Sequence, residues 1–132
     1  MSVPCEVAVK CVLPVVRAMI ARKLMVSHGL RQVEAAKLLG VSQPAISLYC
    51  RNIRGRAIDL GNDRDVKRLV ANISESLAKG GSSHRDLIVM YCGVCRTIRA
   101  KGLLCKLHKA FDPLVDIENC ELCVASESVR CV

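Results

Sequence analysis

The feature that most constrains the fold is the stretch QVEAAKLLGVSQPAISLY, which spans residues 32–49. Val33, Ala36 and Leu39 recur every three residues, so the sequence predicts that they share one face of a helix. Ala36 is small enough to let a second helix approach closely. Gly40 comes next, and glycine adopts the left-handed backbone that ends many helices at little cost. The stretch therefore predicts two short helices that cross closely at a tight turn.

A capped second helix is predicted to follow that turn. Ser42 is a good N-cap, and Pro44 falls in the first turn, where its missing N–H costs little. Ile46 and Tyr49 are expected to point inward, with Val41 closing the turn against the core. This spacing is typical of a helix-turn-helix, whose second helix enters the major groove of DNA. Two antiparallel helices without a binding role would leave these matched positions to coincidence.

Positive charge is concentrated on the same segment. Residues 13–56 contain eight Lys or Arg and a single acid, Glu34, so they carry +7 of the net charge of +8. A basic surface on one segment is typical of a polyanion-binding protein, whereas a merely solvated face would not explain the near-neutral remainder. The chain has only two Tyr, one Phe and no Trp, which disfavours single-strand binding by base stacking. Double-stranded DNA is therefore the expected partner.

The predicted DNA contacts fall into two groups. Gln43, Ser47 and Arg51 are candidates for reading base edges, and the Gln43 amide can pair bidentately with adenine. Arg51, Arg54 and Arg56 are expected to contact phosphates, which position a protein without specifying sequence. The complete predicted set is Arg31, Gln32, Ser42, Gln43, Pro44, Ser47, Leu48, Arg51, Arg54 and Arg56.

The rest of the chain is predicted to be mainly helical. Residues 1–12 have the character of a short leader and residues 13–27 of a first helix. Residues 63–79 fit an amphipathic helix that either closes the core or pairs with a second subunit. The sequence thus predicts a mainly α fold: a helix-turn-helix DNA-binding domain of about five helices over residues 1–80, and a small cysteine-rich metal-binding module over residues 84–132.

Several function classes are disfavoured. The sequence shows no run of eighteen apolar residues and no basic start leading into an apolar segment, so neither a membrane span nor a signal peptide is predicted. A cytoplasmic location is therefore expected. A redox enzyme that uses C-x-x-C dithiols would require a βαβ context, which the pattern does not predict. We expect a protein that is not an enzyme. We also expect a homodimer, because one recognition helix reads few base pairs.

Cysteine is the second strong signal. Five of the nine cysteines lie between Cys92 and Cys123, including two C-x-x-C pairs. Such a pair places two sulfurs on one tight turn, and two pairs in a cytosolic chain predict a metal centre. The alternatives are buried thiols that act as small hydrophobes, or structural disulfides if the source is a hyperthermophile. The predicted ligands are Cys92, Cys95, Cys120 and Cys123, with Cys105 and His108 as additional candidates.

The identity of the metal stays open at this point. Four thiolates suit zinc and an iron–sulfur cluster, and the surplus of thiols over what zinc requires slightly favours iron–sulfur. A set of Cys92, Cys95, Cys105 and His108 has zinc-like spacing as well. Residues 92–132 contain one aromatic residue, Phe111, and a piece this small generally needs a metal or crosslink to hold its shape. No spacing assigns a role to Cys5, Cys11, Cys50 or Cys131.

The helix-turn-helix resembles that of the Cro and lambda-repressor superfamily, the XRE-type regulators. More narrowly, PCE at 4–6, LPVVRAMIARKL at 13–24 and LLGVSQPAISLY at 38–49 resemble a group of short archaeal predicted transcriptional regulators. That group carries a C-terminal cysteine cluster similar to residues 102–114 followed by Cys120-x-x-Cys123.

The resemblance implies a DNA-binding transcriptional regulator with a metal-type appendage. We expect metal occupancy or redox state to alter DNA binding, which requires a two-state element that the metal biases. The alternative is an interaction module that contacts the transcription machinery and carries a structural zinc knuckle.

Overall fold

The structure is a computed structural model that describes residues 3–116, 118 and 120. Helices form all the regular secondary structure of this described part, which confirms a mainly α fold. None of the described helices is long and apolar enough to cross a membrane. The helices are α1 (Pro4–Val7), a π-helical segment (Ala8–Val12), α2 (Leu13–Ser27), α3 (Gln32–Leu39), α4 (Gln43–Cys50), α5 (Arg64–Lys79), α6 (His84–Ala100) and α7 (Cys105–Phe111).

The N-terminal residues are helical from Pro4 onward and lead directly into α2, which corrects the prediction of a short leader. Val7, Ala8 and Val12 are buried in the core, at the spacing of one helix face. The π-helical segment leads directly into α2, whose second residue is Pro14. A proline has no amide to donate and its ring crowds the preceding turn, which accounts for a wider turn there. Pro4 lies at the first helical position, and the Glu6 carboxylate accepts a hydrogen bond from the Val3 amide at 3.1 Å, so both residues mark the start of this helix.

Helix α2 is the centre of the fold. It packs against α3, α4 and α5, and its side chains Val16, Ile20 and Leu24 are fully buried. It ends at Ser27, followed by Gly29 with a φ of 66°. The structure confirms the predicted bounds of this helix.

Helix α5 closes the core from the other side of α2. Asp63 caps it by accepting a hydrogen bond from the Val66 amide at 3.0 Å, and Gly80 ends it in the left-handed conformation. Its buried side chains include Ile73 and Leu77. Helix α5 thus follows the predicted amphipathic pattern.

Helix α6 continues the same core beyond the glycine-serine turn. Val94, Ile98 and Leu104 belong to the buried cluster that contains the side chains of α2 and α5. Helix α7 in turn contacts α1. The core is therefore continuous across the predicted boundary at residues 80–84, and a self-contained metal-binding module stays a prediction.

Candidate DNA-binding surface

The turn between α3 and α4 is built from local backbone preferences. Gly40 adopts φ 68° and ψ 31°, and the Val41 amide donates to the Ala36 carbonyl at 3.1 Å. Ser42 is extended, and its hydroxyl accepts a hydrogen bond from the Ala45 amide at 3.3 Å. The left-handed helix end and the serine N-cap are both as predicted.

Small side chains at the contact allow α3 and α4 to approach closely. Ala35, Ala36 and Ala45 are buried, together with Ile46 and Tyr49 of α4. The inward orientation of Ile46 and Tyr49 is confirmed. The close approach therefore depends on three alanines, of which Ala36 alone was singled out from the sequence.

Val33 does not share the buried face, so that part of the prediction is wrong. Its side chain is 56% exposed. A three-residue spacing falls short of the 3.6-residue turn, so the face drifts around the helix over Val33, Ala36 and Leu39. Ala35, which is fully buried, lies outside that spacing.

The C-terminal end of α4 is held by a side chain from α2. The Arg22 guanidinium donates to the Tyr49 carbonyl at 3.1 Å, where a positive charge also complements the helix dipole. The amides of Ile53 and Arg54 both donate to the Leu48 carbonyl. The sequence does not predict this contact, because no local signal indicates a hydrogen bond between residues 27 positions apart.

At the other end of α4, two predicted contact residues are brought together. The Gln43 side-chain amide donates to the Gln32 side-chain oxygen at 2.7 Å. Gln43 is the first residue of α4 and is exposed, while Gln32 opens α3. This hydrogen bond restricts the orientations that the Gln43 side chain samples at the surface.

All ten predicted contact residues reach the surface to some extent. The exposed ones are Arg31, Ser42, Gln43, Pro44, Arg51, Arg54 and Arg56, and the half-buried ones are Gln32, Ser47 and Leu48. This pattern leaves α4 with one face in the core and a polar face outside.

Arg31 differs from the other arginines because it has an acidic partner. Its guanidinium pairs with the Glu34 carboxylate at 2.7 Å. The side-chain hydrogen bond between them raises the pKa of Arg31 and lowers that of Glu34. The one acid of the basic segment is thus neutralised locally, and part of the Arg31 charge is used in doing so.

The loop after α4 is fixed by a close backbone contact. Gly55 has a φ of 73°, and a Cβ at this position would lie 2.6 Å from the Pro14 carbonyl oxygen and 2.8 Å from the Ala18 Cβ. Glycine is required here for both reasons. The contact holds Arg54 and Arg56 where the loop meets α2.

The first C-x-x-C pair lies inside a helix, so the predicted tight turn is wrong. Cys92 and Cys95 are one turn apart in α6, which continues through the intervening glycine. The capping box at Ser83 starts this helix, and the burial of Val94 and Ile98 holds it against the core. These helix-forming contacts outweigh the turn preference of the C-x-x-C spacing.

The remaining predicted ligands are dispersed along the chain. Cys105 is the first residue of α7, His108 is buried in that helix, and Cys120 is half-buried. Cys123 lies outside the described residues. Among those that the structure describes, no three or more His, Cys, Asp or Glu are grouped so that they could hold a metal. The ligand sets with Cys120 and Cys123, or with Cys105 and His108, therefore stay predictions from spacing.

One cysteine without a predicted role lies near the pair. Cys5 lines the same groove as Cys92 and Cys95, and its sulfur accepts a hydrogen bond from Arg99 at 3.8 Å. Arg99 is itself buried. No local pattern predicts this proximity, because Cys5 and Arg99 lie 94 residues apart in the chain.

Comparison with known proteins agrees with the geometry of the α3–α4 region. Residues 21–61 match a family model described as helix-turn-helix. No curated protein and no solved structure matches the chain significantly. The match extends from the second half of α2 to the loop after α4 and contains Arg22 and Gly55, but it stops before the cysteine-rich end. Residues 21–61 thus form a helix-turn-helix, a finding that supports a DNA-binding regulator.

Proposed function

We propose that this protein is a sequence-specific transcriptional regulator that binds double-stranded DNA with α4. The observation that carries the proposal is the exposed N-terminal end of α4, where Gln32 supports Gln43 within a matched helix-turn-helix. In helix-turn-helix proteins this end of the second helix meets the base edges in the major groove. Gln43 and Ser47 would read bases there, with Arg51.

The arginines after α4 would supply most of the affinity. Arg51, Arg54 and Arg56 are exposed, and the contacts of Gly55 and the Leu48 carbonyl fix the loop that carries them. Phosphate contacts of this kind release counterions, so binding weakens as salt rises. Because the loop is held against α2, these charges keep a fixed position relative to α4.

We also propose that the regulator binds as a homodimer. Helix α4 contains eight residues, and a recognition helix of this length reads few base pairs. Two copies related by a two-fold axis would read two half-sites one helical turn apart. The expected operator is therefore an inverted repeat.

The test begins with selection of a binding site from random duplex DNA and continues with single variants. Gln43→Ala is expected to weaken binding to the selected site by about tenfold and to relax one position of the site. Arg56→Ala is expected to weaken binding to every duplex alike and to lower the slope of log affinity against log salt by about one. Lys106→Ala removes an exposed charge from α7 and serves as the control.

Two outcomes would contradict the proposal. One is equal affinity for selected and random duplexes. The other is weak binding with little salt dependence, which would favour the alternative of an interaction module that contacts the transcription machinery. The oligomeric state on DNA, measured by light scattering, decides between a monomer and a dimer.

A second proposal concerns the cysteines. We propose that Cys92 and Cys95 bind a metal together with Cys120 and Cys123, as an iron–sulfur cluster or as zinc. The proposal is supported by two sulfur ligands on adjacent turns of α6, of which Cys92 is exposed. Side chains at this helical spacing are neighbours and can converge on one ion. The bound group would stabilise the C-terminal segment or, as a cluster, respond to redox state.

Metal analysis and an absorption spectrum of anaerobically purified protein test this second proposal. A visible band near roughly 400 nm indicates iron–sulfur, and a colourless protein with stoichiometric zinc indicates zinc. Cys92→Ser with Cys95→Ser should abolish metal binding, whereas Cys50→Ser should preserve it. Metal-free protein that retains its fold and its DNA affinity would contradict a sensing role.

A further inference from the structure

A groove of about 390 Å³ runs between the N-terminal helical segment, α2, the end of α3 and α6. We call it the α6 groove. Its volume lies within the range of small-molecule binding sites. Besides the three cysteines already described, its walls include Val9, Leu13, Arg17, Leu39, Ile88 and Tyr91.

The walls of the α6 groove are apolar and open to solvent. Val9 is 60% exposed and Ile88 is 50% exposed. Single exposed apolar residues are ordinary, but several that line one concave surface are typical of a binding site for an apolar ligand. The α6 groove therefore favours a ligand with an apolar body.

Arg17 is the charged residue of this lining. It is half-buried and forms no ion pair with any residue that the structure describes. A guanidinium between apolar walls is poorly screened, so an anion that reaches it is held more strongly than at the open surface. Its planar fork matches a carboxylate.

Tyr91 adds a neutral donor beside this charge. Tyr91 lines the same groove as Arg17, and its phenol is able to donate a hydrogen bond to an anion. Arg17 and Tyr91 together form a polar end in an otherwise apolar groove.

We propose that the α6 groove binds a small apolar carboxylate, whose anionic group pairs with Arg17 and whose hydrocarbon body packs on Val9, Leu13 and Ile88. A neutral hydrocarbon would leave the guanidinium without a counterion. This binding site does not depend on the proposed DNA-binding function.

The position of the α6 groove links it to the helix-turn-helix. Leu39 is the last residue of α3, directly before the left-handed Gly40 that begins the turn to α4. A ligand that favours one arrangement of this turn changes DNA affinity, and DNA changes the ligand's affinity by the same factor. This consequence, unlike the binding itself, rests on the proposed DNA-binding function.

Calorimetry on the full chain, without DNA and with a reductant, tests the binding site. The probes are octanoate, 1-octanol and acetate, which separate the charge from the apolar body. Octanoate is expected to bind at least about tenfold more tightly than either of the others. Arg17→Gln should lower octanoate affinity about tenfold, to the level of 1-octanol. Arg96→Gln, an exposed arginine on α6 outside the groove, should leave octanoate affinity unchanged.

A second variant keeps the test decisive if Arg17→Gln unfolds. Ile88→Asp adds a negative charge at a half-exposed wall position, where the fold tolerates a polar residue. It should weaken octanoate binding about tenfold by like-charge repulsion. The free energy of unfolding of the ligand-free protein should change little. The proposal is overturned if folded wild type shows no saturation with octanoate up to about 5 mM, if 1-octanol binds equally well, or if both variants retain octanoate affinity.

Discussion

Two helix pairs of this molecule are built on different principles. Helices α3 and α4 contain eight residues each and meet through alanine side chains. Helices α5 and α6 contain sixteen and seventeen residues and meet through larger aliphatic side chains. The short pair is defined by its caps and its turn, whereas the long pair is defined by an extended apolar contact whose buried members include Val70, Ile73, Leu77, Val94 and Ile98.

The difference shows how the fold divides stability from recognition. A helix of eight residues is not stable alone in water, so α3 and α4 depend on α2 and on their caps. In return, the outer face of α4 presents polar groups such as Gln43. The long pair buries the aliphatic side chains that stabilise the whole unit. Backbone geometry should therefore matter most in the short pair.

Gly55→Ala should have the largest effect, because it disturbs the contact that holds the short pair's loop on α2. The new Cβ would meet the Pro14 carbonyl oxygen at 2.6 Å, in a backbone conformation that disfavours side chains. We expect a loss of about 3 kcal/mol or more in the free energy of unfolding, from overpacking and left-handed strain together. Urea denaturation followed by circular dichroism measures this loss.

Gly40→Ala is the matched control for that variant. Gly40 has a similar positive φ, but nothing lies within 4 Å of its Cβ position. It should lose about 1 kcal/mol from strain alone. Equal losses in the two variants would show that the contact with α2 is unimportant and that the short pair does not depend on it.

The same contrast explains which parts of the site were predictable. A left-handed glycine and a serine cap act within four residues, so Gly40 and Ser42 could be interpreted from sequence alone. Ile46 and Tyr49 followed from helical periodicity. The bounds of α2 and α5 were predictable for the same reason, since each carries a long apolar stripe between clear end signals.

The features that escaped prediction join distant parts of the chain. The bond from Arg22 to the Tyr49 carbonyl and the contact of Gly55 with α2 exist only once the helices are packed. Cys92 and Cys95 show the opposite error: their local spacing suggested a turn, but core packing carried α6 through them. Short motifs were reliable where their geometry is self-contained and unreliable where tertiary contacts compete.

Removing one N-cap from the short helix pair and one from the long pair compares the two pairs directly. The expected effect on stability is intermediate. Ser42 caps α4 and Ser83 caps α6, and each hydroxyl accepts a hydrogen bond from a backbone amide. Ser42→Ala and Ser83→Ala should each lose about 1 kcal/mol in the free energy of unfolding. Ser42→Ala alone should also weaken DNA binding, because it loosens the end of α4 that carries Gln43. If Ser83→Ala weakens DNA binding equally at matched stability, the separation between the two pairs is wrong.

The smallest expected effect concerns the ion pairs that join the ends of the long pair. Lys101, directly after α6, contacts the carboxylates of Asp63 at 3.1 Å and Asp65 at 2.5 Å. The pKa of Asp63 is lowered mainly by the Val66 amide and then by Lys101, and that of Asp65 mainly by its hydrogen bond with Lys101. The same bonds raise the pKa of Lys101, that with Asp65 most. Lys101→Met should therefore lower the melting temperature slightly near neutral pH.

The pH dependence of that difference identifies its origin. A carboxylate with a lowered pKa stabilises the fold above its ordinary value of 3.8, and this contribution is lost as the pH falls through the folded pKa. Lysine with a raised pKa stabilises the fold below 10.5, and this contribution is lost as the pH rises through the folded pKa. The melting temperatures of wild type and Lys101→Met should thus differ between these limits and converge outside them. Lys79→Met, which breaks an exposed pair within α5, should change the melting temperature less, because that pair joins no second helix. A difference that persists unchanged at about pH 2 would assign the effect of Lys101 to packing of its methylene chain instead of to charge.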